Sequence, residues 1–291
     1  MSSCLAVDIG GTKIAAAVVE SGKVLRRHQI STPSSTNPKE MDNALKQLLT
    51  PFLNEVSTVA VASTGIINDG ILTALNPRNL GGLNNYPLRS VIEAISKKPT
   101  TVINDAQAAA WAEYQTLELN RVNMAFITVS TGVGAGVVIN NDLLIGANGI
   151  AGHAGHTLAD PNGPICGCGR RGCVESIASG TAIGQAGKTF FGDDCTGEIV
   201  FKYFSQNDPN AIDIVNRSAR AIAHLIADLK MVLDIELVTL GGSVGLAPHY
   251  LDRVQHYLAQ QPSPYQTKVQ SARCGADAGL IGVAHWASTT N

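Results

Sequence analysis

A histidine and three cysteines crowd into residues 156–173 with the spacing H-x9-C-x-C-x4-C: His156, Cys166, Cys168 and Cys173. One imidazole and three thiolates complete a tetrahedral set for zinc and leave no position for water, so the expected metal is structural rather than hydrolytic. Gly167, Gly169 and Gly172 are interleaved with the cysteines, which lets the chain fold sharply enough to converge on one ion. A thioredoxin-like redox site would need C-x-x-C, which is absent, and free thiols are the remaining alternative. Cys4, Cys195 and Cys274 lie far apart and read as ordinary small hydrophobes.

Two other stretches could handle phosphate. DIGGTK, from Asp8 to Lys13, offers a carboxylate at a strand end, two glycines (Gly10, Gly11) that allow close backbone approach to an anion, and the Thr12 hydroxyl as a donor. A Gly-Gly-Thr turn also serves as a plain hairpin. STGVGAG, from Ser130, places Thr131, Gly132, Val133, Gly134 and Gly136 in a second glycine-rich run. Its G-x-G-x-G spacing fits neither the P-loop nor the dinucleotide fingerprint. In VINDAQAAAWAEY, Asn104 and Asp105 close an apolar strand and open an Ala-rich helix. They suit a helix cap, and Asp105 also suits a general base that takes the proton of a hydroxyl nucleophile during phosphoryl transfer.

These residues need elements to position them, and the sequence writes one pattern twice. Leu5 to Leu25 reads strand, Gly-rich loop, strand, turn, strand, and a shift of 120 residues repeats it without a gap from Ala125, so that Asp8 falls opposite Thr128. VAVASTG from Val59 and LVTLGGS from Leu237 are a weaker echo. Helical periodicity over Ala211 to Asp234 and an apolar helix from Ala278 to Trp286 alternate with these strands and place the fold in the α/β class. The expectation is two similar halves facing across a cleft and clamping one nucleotide: residues 1–112, with a C-terminal helix over 277–291 packing back on them, and residues 113–276 carrying the cysteine loop.

Composition narrows the partners. With 21 basic and 23 acidic residues and no basic block, nothing marks a nucleic-acid or anionic-membrane surface. No apolar run suits a membrane span or a signal peptide, so a cytoplasmic protein with a small-molecule partner is expected, in a compartment where clustered cysteines serve metals more often than disulfides.

The loops and their order resemble the actin-like ATPase superfamily (ribonuclease H-like, a duplicated fold), and within it the ROK group of sugar kinases. There DxGGT is the first phosphate loop, T-x-x-x-G-x-G-x-G (here Thr128 to Gly136) the second, and a late Gly-Gly turn, here Gly241-Gly242-Ser243, borders the adenosine. The group's G-H pair is present as Gly155-His156, and its G-C-G-x-x-G-C-x-E signature is matched from Gly167 to Glu175. The resemblance implies ATP with Mg2+, a structural Zn2+, a homodimer, and Asp105 as the base for a sugar 6-hydroxyl. It further implies sugar contacts from Asn104, Glu175, the other nitrogen of His156 and, more loosely, Ser63, Thr64, Gly65, Asn76 and Asn79. The loose set could be turn formers and Glu175 a plain helix-start carboxylate.

One departure bears on the sugar. Glucose-type members carry A-G-E-x-G-H, whereas this chain has His153 in place of that Glu. A neutral imidazole both donates and accepts, which suits an amide-bearing sugar. The runs A-S-T-G-I-I, L-N-P-x-N-L-G-G and A-G-H-x-G-H are similar to those of the N-acetylmannosamine kinase branch, which acts in sialic acid degradation. The implied substrates are ATP and an N-acetylhexosamine. The alternatives are a ROK hexokinase for glucose, fructose or N-acetylglucosamine, or a non-catalytic sugar-responsive regulator. The repressors of the group carry a helix-turn-helix before DxGGT, for which the seven residues preceding Asp8 leave no room.

Overall fold

The computed structural model describes residues 3–77, 79–117 and 122–289. In chain order the strands are β1 (Cys4–Ile9), β2 (Lys13–Glu20), β3 (Lys23–Ser31), β4 (Thr58–Ser63), β5 (Ile66–Asn68), β6 (Ile71–Thr73), β7 (Thr100–Asn104), β8 (Met124–Val129), β9 (Val133–Ile139), β10 (Asp142–Leu143), β11 (Leu237–Gly241) and β12 (Lys268–Ser271). The helices are α1 (Pro38–Leu49), α2 (Leu88–Ser96), α3 (Asp105–Gln115), α4 (Glu175–Ala178), α5 (Gly180–Phe191), α6 (Gly197–Ser205), α7 (Pro209–Leu233), α8 (Gly242–Gly245), α9 (Tyr250–Leu258) and α10 (Ala278–Thr289).

The chain forms two compact units: Met1–Glu118 with Leu143–Ala151 and Ala276–Asn291, and Leu119–Asp142 with Gly152–Gly275. The first departs from the sequence expectation by taking in Leu143–Ala151. Part of the reason is Gln107, buried on α3, whose Nε2 donates to the carbonyls of Ala151 (3.0 Å) and Leu144 (3.4 Å).

The first unit is built on a sheet of order β3-β2-β1-β4-β7. Strand β1 runs antiparallel to β2 and parallel to β4, which runs parallel to β7. The strands are short apolar runs that pack with the inward faces of α1 and α2, burying Leu5, Val7, Leu45, Leu48, Val61 and Ile92 together. Helix α3 starts at a capping box: the Asn104 side chain accepts from the N–H groups of Ala106 and Gln107, and the Gln107 side chain accepts from the Asn104 N–H. Helix α10 lies against α3, where Trp111 Nε1 donates to His285 Nδ1 at 2.9 Å and Trp286 meets the Trp111 ring edge-on.

The second unit repeats the scheme in the order β10-β9-β8-β11-β12, with the same senses along β9-β8-β11-β12. Its long helix α7 begins where Asp208 caps it and Pro209 takes the first helical position, and it ends at Asp234 in the left-handed region. One face of α7 buries Val215, Ile222 and Ile226 with Ile127, Val238 and Leu240 of the sheet.

Candidate active site and zinc centre

In the first unit the parallel register aligns Ile9 with Ser63 and Ser63 with Asn104, so β1, β4 and β7 end on one edge of the sheet. The carboxyl edge of a parallel sheet is where α/β folds bind ligands. Three candidate segments leave from it: Gly10–Lys13, Thr64–Gly65 and Asp105.

The Gly10–Thr12 turn is held in place. Gly10 N–H donates to the Lys13 carbonyl (2.9 Å), while Thr32 donates its hydroxyl to the Gly10 carbonyl (2.7 Å) and its N–H to that of Thr12 (2.9 Å). Among the described residues no acceptor meets the N–H groups of Gly11 and Thr12, which lie exposed as an anion site requires. Asp8 stands one residue before the strand end, and its carboxyl is pushed up to about 7, first by burial and then by the Asp105 charge, with Arg27 pulling the other way and Asp277 adding to the rise. Arg27 is itself paired with Asp277 at 2.7 Å.

Asn104 is buried, and besides its capping bonds its Nδ2 donates to the carbonyls of Gly65 (3.0 Å) and Ser63 (3.4 Å). It thereby ties the start of α3 to the end of β4 and fixes the backbone that carries Asp105, whose Oδ1 accepts from the Ala106 N–H at 2.9 Å. Ser63 is fully buried with its hydroxyl on the Thr64 carbonyl, which leaves Thr64 and Gly65 as the accessible members of that trio. Asn79 is exposed and reaches over the Gly10–Thr12 turn, its Oδ1 lying 3.7 Å from where a Cβ on Gly11 would stand. Asn76 accepts the Asn79 N–H through its carbonyl at 2.9 Å.

In the second unit, Thr128 pairs with Gly241, so the Ser130–Gly132 turn and Gly241–Gly242 leave one edge together, and the hydroxyls of Ser130 and Ser243 meet at 3.1 Å. Gly134 and Gly136 follow inside β9, in register with Thr128 and Phe126. The turn is clamped by residues that sequence reasoning missed. Gly180 N–H donates to the Ser130 carbonyl (2.7 Å) and the Thr181 hydroxyl to that of Thr131 (2.8 Å). The available signal was Ser179-Gly180-Thr181, a helix-capping run opening α5. Val133, expected to meet the nucleotide, donates its N–H to Glu175 Oε2 at 3.0 Å.

The four candidate metal ligands converge, their ligand atoms all lying within 4.8 Å of one another. Tetrahedral zinc with bonds of about 2.3 Å to sulfur and about 2.0 Å to nitrogen requires S···S near 3.8 Å and N···S near 3.5 Å. Cys168 Sγ to Cys173 Sγ is 3.7 Å, and Cys166 Sγ to His156 Nδ1 is 3.6 Å. Burial, reinforced by the neighbouring thiols, pushes Cys173 up to about 12 and raises Cys166, an arrangement that favours thiolates only around a cation. Gly172 is essential to this fold-back: its φ is +74°, and a Cβ there would stand 1.7 Å from the Asp160 carbonyl oxygen. Burial holds His156 below the usual imidazole range, against the Glu175 charge, with His153 adding to the lowering. The donor set and spacing fit zinc.

The sequence profile of the ROK family matches residues 4–290. An N-acetylmannosamine kinase of Haemophilus influenzae is 56% identical over 97% of this chain and 94% of its own length. One of Yersinia pseudotuberculosis is 54% identical over the whole of both chains. Among solved structures, a ROK family glucokinase from Streptomyces griseus in complex with glucose and AMPPNP superimposes with a TM-score of 0.83 at 30% identity, covering 99% of each chain.

Proposed function

Because this chain belongs to the ROK family, we propose that it transfers the γ-phosphoryl group of ATP to the 6-hydroxyl of N-acetyl-D-mannosamine, a step in sialic acid degradation. The fold is that of the actin-like ATPases, and the chain is a sugar kinase. No helix among the described residues is long and apolar enough to cross a membrane.

The observation that carries the catalytic assignment is the placement of Asp105 at the carboxyl edge of the sheet that also presents the Gly10–Thr12 turn, on a backbone that Asn104 locks from both sides. Asp105 accepts the proton of the sugar hydroxyl as its oxygen bonds to the γ-phosphorus, the bond from that phosphorus to the bridging oxygen breaks, and ADP leaves. The base needs positioning more than strength, because the transition state is loose and little charge develops on the attacking oxygen until late. The exposed N–H groups of Gly11 and Thr12 in one unit, and those of Thr131 and Gly132 in the other, suit phosphate oxygens. Mg2+ arriving with the nucleotide would neutralise charge on the β- and γ-phosphates.

Zinc would be held by His156 Nδ1 and the thiolates of Cys166, Cys168 and Cys173, and would supply folding energy to the loop rather than a reactive centre. The remaining sugar contacts are those the family resemblance implies: Thr64, Gly65, Asn76, Asn79, Asn104, His153, His156 and Glu175. The assembly is taken as a homodimer on the same ground, and light scattering on the purified chain measures it.

A phosphate-transfer assay with ATP over a panel of hexoses and N-acetylhexosamines tests the reading. Highest kcat/KM on N-acetylmannosamine supports it. Preference for glucose, fructose or N-acetylglucosamine moves the chain to another branch, and no transfer to any sugar overturns the activity.

A further inference from the structure

Glu175 is the first residue of α4, two positions after the last cysteine of the zinc set, yet its carboxylate faces the second phosphate turn. Oε2 accepts the Val133 N–H at 3.0 Å, and Oε1 lies 3.8 Å from Cys166 Sγ. The peptide unit joining Gly132 to Val133 is thus held at both ends, because its carbonyl accepts the Ser130 N–H at 2.9 Å. Among the described residues, the next N–H groups in the turn, those of Thr131 and Gly132, meet no acceptor, so fixing this peptide plane sets where they aim.

Gly132 carries a second, independent mark of the same contact. Its φ lies outside the left-handed region, so the backbone itself does not demand glycine. A Cβ at this position would stand 2.5 Å from Glu175 Oε2 and 3.4 Å from its Cδ, and among the described residues it would meet no other heavy atom beyond its own chain neighbours within 4 Å. Among the described residues, the side chain that a Cβ here would have to displace is that of Glu175.

We infer that Glu175 is a positioning residue for the nucleotide: its carboxylate, anchored beside the zinc ligands, orients the Thr131–Val133 backbone for the phosphates, and Gly132 is glycine to admit that carboxylate rather than a phosphate. The inference rests on the kinase reading of this turn and assigns Glu175 a task on the nucleotide side, apart from any contact with sugar. The segment Glu175–Thr181 as a whole then forms the cradle of the turn, since Gly180 and Thr181 bond to the two carbonyls preceding Gly132. An order imposed on the cysteine loop is transmitted to the nucleotide through one carboxylate.

The test measures the Kd of AMPPNP with Mg2+ by calorimetry in the absence of sugar, on zinc-loaded protein, with zinc content and Tm recorded for every variant. Glu175→Ala weakens nucleotide binding by about ten- to a hundredfold, the scale of one charge-assisted hydrogen bond. Glu175→Gln keeps an acceptor for the Val133 N–H and loses less. Gly132→Ala in the Glu175 background weakens nucleotide binding, and combined with Glu175→Ala it adds no further loss, because the obstructing atoms are gone. Combined with Glu175→Gln it stays as harmful as alone, since an amide occupies the same space. An unchanged nucleotide Kd in Glu175→Ala, or a Gly132→Ala loss that is the same in all three backgrounds, overturns the inference. The cycle among Gly132 variants holds even where Glu175→Ala loses zinc, because it compares like backgrounds. A wild-type chain that binds no nucleotide would instead defeat the kinase reading itself.

Discussion

The two halves of this chain are one design carried out twice with different chemistry. Strands β1 and β8 sit 120 residues apart and have the same length, each pairs antiparallel with the strand after it and parallel with a later one, and each is followed by a turn exposing backbone N–H groups. The differences lie at matched positions. Asp8 at the end of β1 corresponds to Thr128 on β8. Carrying the register one step past β12 matches Ile103 with Ala272, and so Asp105 with Cys274. Between its third and fourth strands the first sheet has only α1 and a short turn, whereas residues 152–236 of the second half hold the cysteine loop and α4 to α7. Duplication therefore supplied two glycine-rich turns with open backbone N–H groups, and asymmetry supplied the rest: carboxylates in the first half, an insertion carrying the His156 and cysteine cluster in the second.

The largest test of that asymmetry is the base. Asp105→Asn keeps the fold and sugar binding, because the capping atoms belong to Asn104, but kcat falls by about two to four orders of magnitude, the usual range for removing a general base. Cys274→Ala at the matched position changes kcat by no more than about twofold, as a substitution away from the chemistry should. Near-normal turnover in Asp105→Asn would remove the assignment. The next largest effect belongs to the insertion. Cys173→Ser, or a strong chelator, withdraws one ligand from a buried set and lowers Tm by about 10 °C. Metal analysis of protein purified without added zinc finds about one ion per chain. A metal-free chain of undiminished stability would show that the cluster is a set of thiols.

Much of this asymmetry was legible in the sequence, and the part that was not has a common cause. Asp8, Gly10 and Gly11 could be set against the Ser130–Gly136 run because a gapless shift preserves strand length and turn position, and the convergence of His156 with Cys166, Cys168 and Cys173 follows from ligand type and local spacing. The echo between Val59 and Leu237 marked β4 and β11, which hold equivalent places in the two sheets. Contacts made across long separations left no such trace. Nothing in the local sequence says that Gln107 ties Leu143–Ala151 into the first unit, that Ser63 points inward, or that Asp8 is perturbed by Arg27 and Asp277. The Glu175 bond to Val133 joins residues that each have an ordinary local explanation, a helix start and a strand start.

The third prediction follows from the carboxylate that the second half lacks. Asp8 titrates near 3.8 when unperturbed and at about 7 in the folded chain. Between those values the folded state binds more protons than the unfolded one, so the contribution of Asp8 to stability falls as pH rises from about 4 to about 7, and the penalty is complete above that. Its upper bound is on the order of 4 kcal/mol. Asp8→Asn removes the penalty: Tm of the nucleotide-free variant matches the wild type near about pH 4 and exceeds it increasingly up to about pH 7, on the linkage sign above. A difference between the two that stays flat with pH would mean that Asp8 is not held protonated by the fold.

The smallest effect concerns sugar choice and belongs to the insertion. His153 precedes the short turn Ala154–His156, its Nε2 is buried, and its charge bears on His156. A site built to hydrogen-bond a particular polar group rejects analogues that leave its own groups unpaired, and N-acetylmannosamine must place an axial acetamido group where glucose has a hydroxyl. His153→Glu exchanges a side chain that can donate and accept for one that only accepts. The expected loss in kcat/KM for N-acetylmannosamine is roughly 1–3 kcal/mol, the cost of an unsatisfied buried polar group, while glucose loses less or gains. The informative quantity is the ratio of the two kcat/KM values in wild type and variant, taken at equal zinc content, because a loosened metal loop lowers both alike. If that ratio does not move, selectivity resides in the first half, with Asn76, Asn79 and the Thr64–Gly65 turn, and the division of chemistry and selection between the halves fails.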